Sequence, residues 1–335
     1  MISATVFFIL SAVAVVAAGT ALTRAADAIA ERTGLGRAWI GLILLATATS
    51  LPEVATDIAA VRLGALDLAA GDLFGSSMAN MLILALLGLV PPRNQVFERA
   101  ALDHALSASL AIVLNATAAM LILSPLGASA FGIGMEAVVL LAIFFAGTLV
   151  VFRQNKLITL AAATAGVVPP VLPQPHVLTL RRAILRFAGA SLAILLVAPV
   201  FAQSAHRIAE LSGLGQTFVG TLLVGLSTSL PELVTALTAV RLGAFDLAVG
   251  NLFGSNAFNM VVFVFMDAAH PGALFAALDK GHALTALFAV VLMAIGLAAI
   301  VFRAERRHAL VEPGSLLMVL SYLAGIWALY DYSAR

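Results

Sequence analysis

The sequence predicts an all-α polytopic membrane protein, ten transmembrane helices arranged as two inverted five-helix repeats. Three observations carry that reading. First, 62% of the 335 residues are apolar and only 10% are charged, against about 25% charged in soluble domains, and the mean hydropathy is +1.09. Second, the apolar residues fall into runs long enough to cross a bilayer, which takes about 20 residues each. Third, the chain repeats itself: Gly41–Met81 aligns without a gap on Gly220–Met260, 179 positions downstream, with 24 of 41 positions identical.

The expected spans lie near 4–22, 37–61, 67–90, 101–124, 130–152, 182–203, 216–240, 246–268, 281–302 and 314–331. Roughly ten-residue alternating segments, the mark of a membrane barrel, are absent. The first run, Ala4 to Ala21, has no basic residue ahead of it and a counterpart in the second half. It therefore reads as a retained helix rather than a signal peptide. Short amphipathic elbows are expected after the first and sixth helices, where Ile29-Ala30-Glu31 and Gly34-Leu35-Gly36 match Ile208-Ala209-Glu210 and Gly213-Leu214-Gly215. Glu31 and Glu210 read as solvated interfacial residues. Between the halves, Pro169, Pro170, Pro173 and Pro175 suit an extended linker. The domains are then 1–152, a linker over 153–181 and 182–335. That linker is too short for a regulatory calcium-binding domain.

Orientation follows from the basic residues. Fourteen of the 18 fall on one side of the expected spans, and only Arg62, Arg207, Lys280 and Arg335 on the other. The richer side reads as cytoplasmic, with the linker inside and both termini extracytoplasmic in the cell membrane. Five helices per half is an odd number, so the second half enters from the opposite side. Transporters built this way hold their ion or substrate near the midplane, where the halves meet. A net charge of +1 gives no reason to expect a nucleic-acid partner, and the absence of cysteine excludes disulfides and thiolate metal sites. Gly-x-Ser-x-Gly and His-Glu-x-x-His stretches are also absent, which argues against an intramembrane hydrolase. No enzyme, resident cofactor or obligate protein partner is expected.

The repeated segment carries the chemistry. Thr49-Ser50-Leu51-Pro52-Glu53 recurs as Thr228-Ser229-Leu230-Pro231-Glu232. Proline lacks an N–H and clashes with the carbonyl four residues back, so the carbonyls of Ala48 and Ser227 lose their partners. Inside a membrane such backbone survives only when buried in protein or lining a wet cavity. Those carbonyls, the hydroxyls of Thr49, Ser50, Thr228 and Ser229, and the carboxylates of Glu53 and Glu232 form two oxygen-rich patches. Hard cations want such donors; calcium takes about 6–8 of them. The next helix of each half adds Asp72, Ser76 and Asn80, or Asn251, Ser255 and Asn259, at i, i+4 and i+8 on one face. Intramembrane ionisable residues mark functional sites. Arg62 and Arg241, nine positions further along, are too far to neutralise the glutamates. Asp57 and Asp72 have no acidic counterparts, facing Ala236 and Asn251. Asp57 either extends an ion path or meets water near its helix end. Asn115 and His104 read as packing or interfacial residues.

These motifs resemble the alpha repeats of the cation/calcium exchanger superfamily, most closely its prokaryotic sodium/calcium exchanger-like branch. The resemblance implies exchange of Ca2+ against Na+ through four ion sites between the second, third, seventh and eighth helices. It implies Glu53 and Glu232 as ligands shared by both ions. Thr49, Ser50, Thr228, Ser229, Ser76 and Ser255 would supply further oxygens, Asn80 and Asn259 would line the centre, and the first and sixth helices would slide as gates. Departures are Ala48 and Ser227 at the first motif position and Ser77 at another. Asn80 and Asn259 stand where some relatives carry aspartate, notably at the second position in potassium-dependent exchangers, which argues against potassium dependence. Two carboxylates bind protons as naturally as sodium, so a calcium/proton antiporter is the alternative, and a cation channel a more distant one.

Overall fold

The structure, a computed structural model, describes residues 2–89, 103–130, 132–164, 178–211, 228–302 and 313–333. Its helices are α1 (Ile2–Thr33), α2 (Arg37–Thr49), α3 (Leu51–Arg62), α4 (Leu66–Leu89), α5 (Asp103–Leu123), α6 (Met135–Thr164), α7 (Leu180–Leu211), α8 (Leu230–Arg241), α9 (Phe245–Ala269), the short α10 (Leu274–Ala277), α11 (Gly281–Phe302) and α12 (Pro313–Ser333). Eight of these are individually long and apolar enough to cross a membrane, and α2 with α3 makes a ninth span, bent by 42°. Of the expected seventh span, 216–240, only the part from Thr228 is described.

Helix ends differ from expectation where no breaker stands at the expected boundary. The elbow after the first span does not form: α1 continues unbroken to Thr33 and ends where Gly34 and Gly36 take up φ of 69° and 82°. Likewise α7 runs through Arg207 and Glu210, and α6 runs past Arg153. Where a helix start was expected near residue 130, a two-stranded antiparallel hairpin forms instead, β1 (Ser129–Ala130) on β2 (Ile133–Gly134). Gly127 and Gly132 at positive φ delay α6 until Met135.

The packing comes in couples related by the repeat. Helix α1 packs on α8 as α7 packs on α3; α5 on α9 as α11 on α4; α6 on α9 as α12 on α4. The repeat-equivalent helices α1 and α7 lie side by side and run antiparallel. Phe8, early in α1, stacks on Phe201, late in α7, at 4.7 Å, and Arg32 near the other end of α1 donates to the Leu178 carbonyl at 3.2 Å. Burial separates a core from a periphery. In their most apolar windows α9 is 89% buried and α4 72%, whereas α1 and α7 are only 28% and 22% buried. Phe74, Phe253 and Phe263 fill the α4–α9 interior. The two central helices thus form the core, and α1 and α7 lie outside it, on each other and on α2, α3 and α8.

Two histidine–aspartate ties join the halves. His104 Nε2 on α5 lies 3.0 Å from Asp246 Oδ1 on α9, and His282 Nε2 on α11 lies 3.1 Å from Asp67 Oδ1 on α4. Asp67 and Asp246 are repeat equivalents. His104 is fully buried and so is no interfacial residue, while its partner remains partly exposed. Replacing a buried hydrogen-bonding group costs about 1–3 kcal/mol, so His104→Ala should lower the melting temperature in detergent. His282→Ala, at a wetter position, should lower it less.

Candidate functional site

Both glutamates sit just past a break in a helix. Ser50 adopts φ −89° and ψ 4° between α2 and α3, and Ser229 adopts φ −82° and ψ 5° ahead of α8. Pro52 and Pro231 occupy the first turn that follows, where a missing N–H costs least, and Glu53 and Glu232 share that turn. Ser227 and the rest of the expected second patch up to it lie outside the described residues. Ahead of the first break, α2 is π-helical over Ile40–Leu45. A widened turn of that kind is rare in helices and frequent at functional sites.

Glu53 and Glu232 are completely buried, and their carboxylates repel one another. No arginine, lysine or histidine pairs with either among the described residues, and Arg62 and Arg241 are exposed at their helix ends. Around the glutamates the polar side chains engage across the halves, in couples. Thr49 Oγ1 lies 3.4 Å from both Asn251 Oδ1 and Ser255 Oγ; reciprocally, Thr228 Oγ1 donates to Asp72 Oδ1 at 3.3 Å and Ser229 Oγ to Ser76 Oγ at 3.5 Å. Ser255 Oγ donates to Glu232 Oε1 at 3.5 Å. Asn80 Nδ2 donates to Asn256 Oδ1 at 2.9 Å, and its equivalent Asn259 donates to Ser77 Oγ at 3.4 Å and to the Leu73 carbonyl at 3.2 Å. All ten residues expected at the site are thus buried, on α3, α4, α8 and α9 or at the breaks ahead of α3 and α8.

Several of their oxygens have no donor. Both Oε atoms of Glu53, Oε2 of Glu232, Ser50 Oγ and the Oδ1 atoms of Asn80 and Asn259 are buried without a hydrogen-bond partner. An unsatisfied buried acceptor costs about 1–3 kcal/mol, more when charged. Six such atoms together, all presenting lone pairs, form a donor set that fits a hard cation. Among the described residues no three His, Asp or Glu side chains gather around one metal position; hydroxyl and amide oxygens supply the rest of the set.

Sequence reasoning missed three participants. Asn115 donates to the Asn256 carbonyl at 3.2 Å, so it braces the amide ladder and does more than pack. Asn256 and Ser77 pair the halves, while Asp72, already expected on this helix face, accepts from Thr228. The signal was present: each of the Asn80–Asn256 and Asn259–Ser77 pairs maps onto the other by the 179-residue shift. Asp57, for which water contact was one option, is instead buried, with Oδ2 unpartnered.

Comparison with known proteins places the whole chain in one family. The family described as sodium/calcium exchanger protein matches residues 3–153 and 182–331. The chain is 29% identical over 273 residues to inner membrane protein YrbG of Escherichia coli, covering 80% of each chain. It is 42% identical to sodium/calcium exchanger MaX1 of Methanosarcina acetivorans over 72 residues, 22% of this chain and 21% of that one. Its fold matches the sodium-calcium exchanger NCX_Mj with a TM-score of 0.71 at 19% identity, over 98% of this chain and 99% of the other. The chain belongs to the sodium/calcium exchanger protein family.

Proposed function

We propose that this protein is a secondary-active antiporter that exchanges Ca2+ for Na+ by alternating access. Its site lies at the midplane between two inverted five-helix repeats, residues 1–152 and 182–335, joined by the linker 153–181. Family membership supports the transport class, and the names borne by MaX1 and NCX_Mj support the ion pair. The observation that carries the site is the pair of buried glutamates with no cationic partner among the described residues, ringed by acceptor oxygens from both halves. Glu53 and Glu232 are the charged ligands. Thr49, Ser50, Ser76, Thr228, Ser229 and Ser255 supply hydroxyl or carbonyl oxygens, and Asn80 and Asn259 close the centre with amide oxygens.

The exchange rule follows from charge. Two carboxylates carry about two negative charges, which one Ca2+ or two Na+ neutralise. Left bare in a low-dielectric core, they repel and are poorly solvated. A site that crosses only when neutralised moves one cargo or the other, and mutual occupancy is excluded by the shared oxygens. In the α1–α7 pair, weakly buried and packed on α2, α3 and α8, lie the elements suited to slide. The distribution of basic residues supports a cell-membrane protein with both termini outside.

Radioactive calcium flux in proteoliposomes tests this reading. An outward sodium gradient should drive calcium uptake at least about tenfold above the level without it. Uptake driven by a proton gradient and indifferent to sodium would replace sodium by protons, and uptake that neither saturates nor needs a counter-ion would make the protein a channel.

A further inference from the structure

Four fully buried amides lie along the contact of α4, α5 and α9: Asn80, Asn115, Asn256 and Asn259. An amide side chain has an oxygen that accepts and a nitrogen that donates, and turning it over exchanges them. A backbone carbonyl settles the choice, because it only accepts. Asn115 Nδ2 meets the carbonyls of Ala111 and Asn256, at 2.9 and 3.2 Å. Asn256 Nδ2 meets the Ser77 carbonyl at 3.2 Å, and Asn259 Nδ2 meets that of Leu73 at 3.2 Å. These three amides are therefore oriented by main chain.

Asn80 is not. Its Nδ2 has one partner among the described residues, Asn256 Oδ1 at 2.9 Å. With its nitrogen committed to the Ser77 carbonyl, Asn256 can offer Asn80 only an oxygen, and Asn80 must answer with its nitrogen. Turned over, it would set oxygen against oxygen with no proton between them. Asn80 Oδ1 is thereby left buried and without a donor. The direction of Asn80 is thus set from Ser77, three residues away on its own helix, by way of the other half. The second half has no such intermediary. Shifted by 179 positions, Asn80 becomes Asn259 and Asn256 falls on Ser77, whose hydroxyl donates to the Leu73 carbonyl at 2.9 Å while Asn259 reaches that carbonyl itself. Asn115, which ties α5 to the backbone of Asn256, also lacks a counterpart; its shifted position is Ala294.

We propose that Asn256 is a positioning residue for the transported calcium: it supplies no oxygen to the ion, and its amide holds Asn80 with the oxygen rather than the N–H2 free for it. This rests on the reading of the Glu53–Glu232 centre as the calcium site, with Asn80 among its ligands. An amide presented the wrong way round puts two polarised N–H bonds where a hard cation needs lone pairs. Without Asn256 the ion itself has to turn and hold that amide, and affinity falls by what the ordering costs. Only Asn80 depends on such a relay, so the control is exerted from the second half on the first and not in return.

The test is calcium binding by full-length protein purified in detergent, measured calorimetrically with Ca2+ as the titrant. Asn256→Ala should weaken binding about three- to tenfold, the worth of one net hydrogen bond. Asn256→Leu, which keeps a branched shape but has no acceptor, should do the same. Both are then repeated in an Asn80→Asp background. A carboxylate presents oxygen whichever way it is turned, so there the same substitutions should leave calcium binding unchanged or tighten it. Equal weakening in both backgrounds overturns the proposal by reducing Asn256 to packing. Unchanged binding in both single variants overturns it too, as does failure of both to fold. Loss of calcium binding by Asn80→Asp alone also overturns it, because position 80 would then be needed as an amide and not as an oriented oxygen. Failure of the centre itself looks different: Glu53→Gln would then bind calcium as the native protein does.

Discussion

Glu53→Gln and Glu232→Gln should each abolish sodium-driven calcium transport, by about 100-fold or more, without unfolding the protein. Glutamine keeps the shape and one acceptor oxygen but removes a full charge from a centre where both carboxylates are completely buried. The transported ion would then cross with a positive charge unbalanced, and an uncompensated buried charge costs about 3–5 kcal/mol, against 1.4 kcal/mol per tenfold. Stability should move the other way. Without cations the native centre holds two unpaired, mutually repelling carboxylates, so either substitution should raise the melting temperature in calcium-free detergent. The stabilisation that calcium gives the native protein by binding only its folded form should shrink in step. Either variant retaining sodium-driven uptake would sink the assignment, and a variant that fails to fold would show that the carboxylate is structural.

What the sequence made legible was whatever carries a local cost. Prolines inside apolar spans, glutamates without a cation nearby, and the same five residues twice are visible in one dimension, and each marked a helix break or a buried carboxylate. The cross-half pairings were less visible because they depend on helix rotation. Asp72 and Thr228 are 156 positions apart, and only the packed hairpins bring them together. The histidine ties show how a repeat hides a relation as well as revealing one. Asp67 and Asp246 are equivalent, but shifting His104 by 179 positions lands on Ala283, and the functional match is His282, one residue off. A gapless alignment passes over that pair. The first elbow failed for a simpler reason. The residues following Ala21 are helix formers with no glycine or proline before Gly34, and polarity alone does not end a helix.

Gly254→Ala should be the most damaging glycine-to-alanine change among the described residues. A Cβ at Gly254 would stand 2.3 Å from the Leu42 carbonyl oxygen, 2.7 Å from Leu42 Cα and 2.8 Å from Ala46 Cβ. The first two are backbone, so no side-chain rotation relieves the contact. The same interface presents Gly250, whose Cβ would lie 2.6 Å from the Ala38 carbonyl oxygen, and Gly41, 2.7 Å from that of Leu247. Helix α2 therefore lies backbone to backbone on α9 throughout its π-helical stretch, and small residues are what permit that approach in a membrane. Overpacking at such a site costs about 1–3 kcal/mol or more. Its consequence is functional as well, since α2 leads directly into Thr49 and Ser50, and any outward shift of α2 carries those oxygens away from Asn251 and Ser255. Gly254→Ala should thus lower the melting temperature by several degrees and cut calcium transport at least about tenfold, because a ligand cage tolerates little displacement. Gly189→Ala on the exposed face of α7, where a Cβ meets nothing within 4 Å, should leave both unchanged or add slight stability. Equal behaviour of the two variants would mean that α2 does not depend on this contact, and that the placement of the first ligand patch has some other cause.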